Sequence, residues 1–242
     1  MLTRMLVRDI RGLRRLIRPE RLQESVPVWM DAVRALIEQY GAASAVVSAD
    51  SYGQQREAAQ AAGRYEAEPA SGPPAEQVEK SLRWATKDLW DTEAEQEPFE
   101  VRLAQAEQRA EAVAQKLVAD QGRATTRQAV DRDRGAIAYA RAAALGGCAF
   151  CKLMASRGAV YKNARTAGRD ANEKFTGSAS VVKFHDNCHC VIVPVFRGQQ
   201  FELSAHALEW DRLYTQYARG YSGDQLRRFR RALADHGHLP AL

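Results

Sequence analysis

The sequence predicts an α+β protein that is mostly α. Apolar residues recur at helical spacing through most of residues 1–145, between loops rich in proline and glycine. From Gly146 onward, glycines, β-branched residues and short polar runs replace that periodicity. We therefore expect a long-helix N-terminal region over residues 1–145. A small α+β domain with clustered cysteine and histidine residues, together with C-terminal helices, is expected over residues 146–242.

A basic amphipathic helix is predicted at the N-terminus, ending at Pro19. Apolar residues at helical spacing alternate with six arginines there. Such a helix can pack on its own domain, or lie on a membrane, on nucleic acid or in a partner's groove, and the sequence leaves these alternatives open. No segment approaches the roughly 20 apolar residues of a stable membrane span, and the first residues lack the pattern of a secretory signal.

Further helices are predicted along the N-terminal region. One starts near Ser25 and continues to Ala62, either as one long helix or as two in line across Gly41. Residues 65–75 have the composition of a loop. Three later segments again have helical periodicity, namely 75–90, 98–121 and 124–145.

Short elements are predicted in the domain from Gly146. Cys148–Gly158 can hold one short helix, and 168–180 has the composition of an irregular loop. Val181–Phe184 and Cys190–Phe196 are predicted strands. Two helices then follow, the first through Ala205, Leu208, Trp210 and Leu213, and the second with Ser222 as its cap and Asp224 in its first turn.

Charge is distributed unevenly behind a formal net value of +5. Residues 1–20 carry six basic and two acidic side chains, and residues 141–197 carry nine and three. Residues 21–140 carry 14 basic and 20 acidic side chains, while the tail from 198 is near neutral at +1. The two basic segments suit contact with phosphate or with an acidic protein surface, although a solvated surface explains them equally.

The four cysteines of the chain lie in two short motifs of the second domain. Cys148 and Cys151 form a C-x2-C pair, which can turn two sulfurs toward one point. Cys188 and Cys190 lead into a predicted strand, where alternate residues share a face. His185 offers a fifth donor. Because thiolates and imidazole bind Zn2+ tetrahedrally, we predict a structural zinc site formed by these residues.

Two questions about this cluster stay open. Four ligands close a structural zinc site, so either His185 or one of the four sulfurs is surplus. The cysteines can also be buried without metal. An enzymatic alternative pairs one cysteine with His185 or His189 as base and Asp186 as the group that orients it. No G-x-S-x-G, P-loop or G-x-G-x-x-G motif occurs in the chain, and we assign no catalytic residue.

Residues 135–197 resemble the phage Mu F-like head morphogenesis domain. The resemblance lies in Cys148-Ala-Phe-Cys151, a basic linker, and His185-Asp-Asn-Cys188-His-Cys190 followed by Val-Ile-Val-Pro-Val. The preceding helical half looks like that of minor head proteins from tailed phages of actinobacteria. This chain has Asp186 and His189 where the family often has proline and arginine, which leaves the candidate ligands intact.

The resemblance implies a low-copy minor head protein that associates with the portal in the virion, in the head interior or at the portal, after assembly in the host cytoplasm. It implies roles in head morphogenesis and in DNA packaging or ejection. The expected partners are the portal protein and capsid or scaffold proteins, with nonspecific DNA contact. Related proteins are labelled capsid maturation proteases, which is the enzymatic alternative. A DNA-binding factor unrelated to phage is the third possibility.

Overall fold

A computed structural model describes residues 2–90, 97–159, 190–199 and 201–239 of the chain. This part is mostly helical with one small two-stranded sheet, which confirms the predicted α+β, mostly α class. None of its helices is both long and apolar enough to cross a membrane. The elements in chain order are α1 Leu2–Gly12, α2 Leu22–Ala58, α3 Ala75–Thr86, α4 Phe99–Arg132, β1 Ala136–Ala142, α5 Ala149–Ser156, β2 Val191–Phe196, α6 Ala205–Tyr217 and α7 Gln225–Asp235.

The chain forms two compact units. The helical unit takes the described residues within 1–48 and 68–125, and the cysteine unit takes those within 49–67 and 126–242, apart from 185–187. Helices α2 and α4 therefore each contribute residues to both units. The predicted division into domains at residue 145 stays a prediction.

The N-terminal helix α1 packs on its own unit. Leu6 and Ile10 are fully buried in a core built from α1, α2, α3 and α4. Arg11 Nε lies 2.7 Å from Glu111 Oε1, and Arg14 Nη1 lies 2.6 Å from Glu107 Oε2. The apolar side of α1 is thus covered by its own unit, and Arg11 of α1 and Arg14, two residues beyond the end of α1, are paired with acidic side chains of α4. The helix ends at Gly12, before the predicted end at Pro19.

Small residues let α2 and α4 approach closely within the helical unit. A Cβ at Gly41 would lie 2.2 Å from Gln121 Oε1, and one at Gly122 would lie 2.6 Å from Ser44 Oγ. Gly41 is therefore a close-packing position inside a single long helix, which decides between the two predicted alternatives. The loop predicted over 65–75 is anchored at Ala70, whose carbonyl accepts a hydrogen bond from Gln121 Nε2 at 2.9 Å.

The sheet of the cysteine unit pairs β1 with β2 in antiparallel orientation. The prediction of a helix over 124–145 is wrong at β1, because alanine-rich residues there pair with the β-branched strand β2. The predicted break between 98–121 and 124–145 is also wrong, because α4 continues through it as one helix. Strand β2 confirms the prediction over Cys190–Phe196 apart from its first residue, and α5 confirms the short helix within Cys148–Gly158.

Helices α6 and α7 complete the cysteine unit, and they confirm the two predicted C-terminal helices. Ser204 caps α6, because its side chain accepts a hydrogen bond from Ala207 N at 3.2 Å. The predicted cap Ser222 is wrong: Asp224 occupies the N-cap position of α7. The Asp224 carboxylate binds Arg227 and Arg228 of the same helix instead of the backbone.

A buried ion pair holds the ends of α2 and α4 together in the cysteine unit. Arg56 Nε donates to Asp133 Oδ2 at 2.9 Å, and the Tyr52 hydroxyl donates to the same oxygen at 2.9 Å. The other oxygen, Oδ1, accepts from Gly135 N at 2.8 Å, just before β1. The pKa of the Tyr52 hydroxyl is raised above its ordinary range. Burial is the main cause, and the hydrogen bond to the Asp133 carboxylate is the next. Asp133 therefore fixes the point at which the chain passes from α4 into the sheet.

Candidate metal centre

The sheet register brings two of the cysteine segments to the same end of the cysteine unit. Ala142, the last residue of β1, pairs with Val191, the first residue of β2. Cys190 directly precedes β2, and Cys148 follows β1 after a five-residue connection. The antiparallel pairing therefore places the C-x2-C motif and Cys190 near one another.

The C-x2-C motif forms a tight turn into α5. Cys148 is the N-cap residue, and its Sγ accepts a hydrogen bond from the backbone N of Cys151 at 3.4 Å. This cap fixes both cysteines at the first turn of the helix. The preceding Gly147 makes room for the turn, because a Cβ there would lie 2.9 Å from Ala144 O and 3.5 Å from Cys151 Cβ.

The three described cysteines differ in their exposure to solvent. Cys151 and Cys190 are each 1% exposed and belong to one buried cluster with Tyr139, Met154 and Phe196. Cys148 is exposed at the start of α5. The structure thus brings Cys151 and Cys190 into the same core and leaves Cys148 accessible at its edge.

The remaining two candidate ligands, His185 and Cys188, lie outside the described residues, as do His189 and Asp186 of the enzymatic alternative. The predicted strand Val181–Phe184 and the predicted loop 168–180 lie outside them as well. Among the residues that the structure describes, no three His, Cys, Asp or Glu side chains are arranged to hold a metal ion. The five-residue ligand set therefore stays a prediction.

A lysine directly after the C-x2-C motif is fully buried. Lys152 donates a hydrogen bond from Nζ to the backbone carbonyl of His238, and its Nζ lies 5.5 Å from the centre of the Trp210 ring. Burial lowers the pKa of the Lys152 ammonium, and the Cys148 and Cys151 side chains act in the opposite direction. Thiolates at these cysteines would favour the charged form of this lysine.

A second buried cation flanks the same turn. Arg141 of β1 is 6% exposed, and its Cζ lies 5.7 Å from the centre of the ring of Phe150, between the two cysteines. Cations beside cysteine favour the thiolate, which is the form that binds metal. The neighbourhood of the C-x2-C turn is therefore suited to a negatively charged centre.

The donor chemistry fits zinc. Sulfur ligands, with or without one imidazole, form closed tetrahedral zinc sites that stabilise small domains. A four-ligand site would draw on Cys148, Cys151, His185, Cys188 and Cys190, one of which would be surplus. A closed shell has no open position for substrate, so zinc bound in this way would have a structural role.

Lys152 and Arg141 were not predicted as parts of the site. A signal for Lys152 was present, since it lies three residues from both Ala149 and Ala155 on an otherwise apolar side of α5. A lysine within the apolar side of a short helix is expected to be buried when that side packs on the core. Arg141 had no comparable signal, because the strand that buries it was predicted as helix.

Fold and site define a mostly helical protein whose small α+β unit carries a C-x2-C turn beside the start of an antiparallel strand. The family model described as VG15 protein matches residues 1–219, and the chain belongs to this family. It is a family of phage gene products, so the chain is a phage, virion-related protein. No curated protein and no solved structure gives a significant match.

Proposed function

We propose that the chain is a minor head protein of the Mu F-like type, which associates with the portal and acts in head morphogenesis and in DNA packaging or ejection. Its partners are the portal protein and capsid or scaffold proteins, and it contacts DNA without sequence preference. It assembles in the host cytoplasm and remains in the virion, in the head interior or at the portal.

The arrangement of the cysteines carries this proposal. In a member of a phage family, the C-x2-C turn lies at the same end of the sheet as Cys190. That arrangement supports the proposal, because it allows the two motifs that carry the resemblance to contribute to one site. The two buried cations beside the turn add support, because they suit a thiolate centre.

Zinc is the proposed occupant of the cysteine centre, with a structural role. The ion would join α5, the start of β2 and the segment that carries His185 and Cys188. Segments far apart in sequence would then be held by metal bonds in addition to the buried apolar clusters of the unit. The ligand residues would have a single role, which is to bind the metal.

The protein content of purified particles tests the proposal. Mature virions, procapsids and procapsids assembled without portal protein are isolated from the phage that encodes the chain and analysed by quantitative mass spectrometry. We expect a few copies per virion and per procapsid, and none in particles that lack the portal. Absence from virions and procapsids, or incorporation that does not depend on the portal, would contradict the proposal.

Capsid maturation protease is the alternative function, favoured by one observation. Cys148 is the exposed member of the three described cysteines, and a nucleophile must reach its substrate. Cys148→Ser and Cys151→Ser distinguish the alternatives. A protease using Cys148 would lose capsid protein cleavage in the first variant while its fold is kept. A zinc site would lose stability in both variants and leave cleavage unchanged.

A further inference from the structure

Charge in the C-terminal tail is near neutral overall but is segregated in the structure. Residues 198–242 contain six arginines, no lysine and five acidic residues. Four of the arginines lie among five consecutive residues of α7, and all four are exposed. They are Arg227, Arg228, Arg230 and Arg231. The sum over the tail therefore conceals a strongly basic surface, defined here as the α7 arginine face.

The arginines occupy one side of the helix. Phe229, Ala232 and Leu233 are buried and attach α7 to its unit. At about 100° per residue, the four arginines fall on the side opposite these three residues. Packing of α7 therefore requires none of them, and all four guanidinium groups face solvent.

Helix stability does not explain the charges either. The arginines lie in the first two turns of α7, near the positive end of the helix dipole, where cations are unfavourable. Asp224 offsets part of this by pairing with Arg227 and Arg228. The side chains of Arg230 and Arg231 have no hydrogen bond or ion pair to any residue in the described part of the chain.

An aromatic side chain borders this surface. The Tyr221 ring is 48% exposed, and Arg228 Cζ lies 3.5 Å from its centre. Stacking holds this guanidinium against the ring, while its Nε lies 3.3 Å from Asp224 Oδ2. A planar guanidinium is the group that arginine uses for bidentate contacts to phosphate. Arg219, also exposed, lies two residues before Tyr221 and extends the charge.

We infer that the α7 arginine face binds the phosphate backbone of double-stranded DNA without reading its sequence. The face carries arginine and no lysine, and the planar guanidinium matches phosphate geometry in bidentate contacts. Contacts to phosphate position a protein on the duplex without reading its sequence. This inference assigns a surface to the DNA contact in the proposed function, and rests on that contact.

Equilibrium binding of the full-length chain to mixed-sequence duplex DNA tests the inference over a range of salt concentrations. The variant is Arg230→Gln with Arg231→Gln, which keeps helix propensity. We expect a loss of affinity of roughly tenfold at about 0.1 M salt, and a salt slope smaller by about two. The control, Arg34→Gln with Arg83→Gln, removes the same charge from exposed positions of the helical unit and should bind like the unchanged protein.

Three results would overturn the inference. They are no DNA binding by the unchanged chain, equal loss in the control variant, or tighter binding to polyglutamate than to DNA, which would indicate an acidic protein as partner. Helicity and thermal unfolding of both variants should match the unchanged chain. Portal-dependent incorporation into particles is measured separately, so failure of DNA binding does not by itself decide the role in the head.

Discussion

Arg56 Nε lies 2.9 Å from Asp133 Oδ2, and this buried pair joins the ends of α2 and α4 across 77 residues of sequence. Asp133 also accepts from the Tyr52 hydroxyl and from Gly135 N, so one carboxylate serves three donors. The sheet that carries the cysteine centre starts three residues later. Removal of this carboxylate should therefore affect the whole cysteine unit.

Asp133→Ala leaves the Arg56 charge buried without its counter-ion. We expect the free energy of unfolding to fall by about 3–5 kcal/mol, measured by urea denaturation. Asp31→Ala is the matched control, since Asp31 forms an exposed pair with Arg34, and it should cost about 1 kcal/mol or less. Arg56→Met combined with Asp133→Ala should be less destabilised than the two single effects added together. Equal effects of Asp133→Ala and Asp31→Ala would contradict this role.

Two adjacent glycines give a matched test of the C-x2-C turn. Gly147→Ala would bring a Cβ within 2.9 Å of Ala144 O, whereas a Cβ at Gly146 meets nothing within 4 Å. Neither glycine has a positive φ, so the two changes differ mainly in packing. We expect Gly147→Ala to lower the free energy of unfolding by about 1–3 kcal/mol and to reduce the amount of zinc retained. Gly146→Ala should change both quantities little. Equal behaviour of the two variants would show that the close approach at Gly147 is unimportant.

The sign of the Lys152→Met effect tells whether the cysteines form a charged centre. Beside metal-bound thiolates, loss of the ammonium should weaken zinc binding about 10- to 100-fold, as for other residues that support ligands. Beside neutral thiols, the same change removes an unfavourable buried charge and should stabilise the unit. Zinc release to a competing chelator measures the first effect. Lys80→Met, at an exposed lysine, is the control and should leave release unchanged. Increased stability with unchanged zinc release would exclude the charged centre.

Much of the helical part was predictable from sequence, because its information is local. Spacing of apolar residues predicted α1, α2, α3 and most of α4, together with the loop before α3. Strand β1 could not be recognised in this way. Its alternating alanines favour helix locally, and only pairing with β2, about 50 residues away, makes it a strand.

The five-residue ligand set stays a prediction, because His185 and Cys188 lie outside the described residues. The cysteine spacing alone identified the motif, and the structure places three of those cysteines near one end of the sheet. Lys152, Arg141 and the Arg56–Asp133 pair depend on contacts between segments far apart in sequence. No periodic pattern records such contacts. The α7 arginine face was not recognised from sequence because the acidic residues of the tail offset its charge in the sum over residues 198–242.

Stability of the cysteine unit should fall in mild acid through His238. Burial lowers the pKa of this histidine below its ordinary value, while nearby Glu209 acts in the opposite direction. The unfolded chain then binds more protons than the folded one, so stability is complete above the unfolded pKa of about 6.5 and decreases as pH falls below it. His238→Gln should make stability less dependent on pH between 7.5 and 5.5, and His236→Gln should not. Identical pH profiles for His238→Gln and the unchanged protein would refute this contribution.

The metal content of the purified chain is the most direct test of the proposed cysteine centre. Elemental analysis is combined with a count of reactive thiols before and after addition of a strong chelator. We predict one zinc ion per chain, protected thiols that become reactive on chelation, and loss of stability when the metal is removed. A metal-free protein with four reactive thiols and unchanged stability would contradict the structural zinc site.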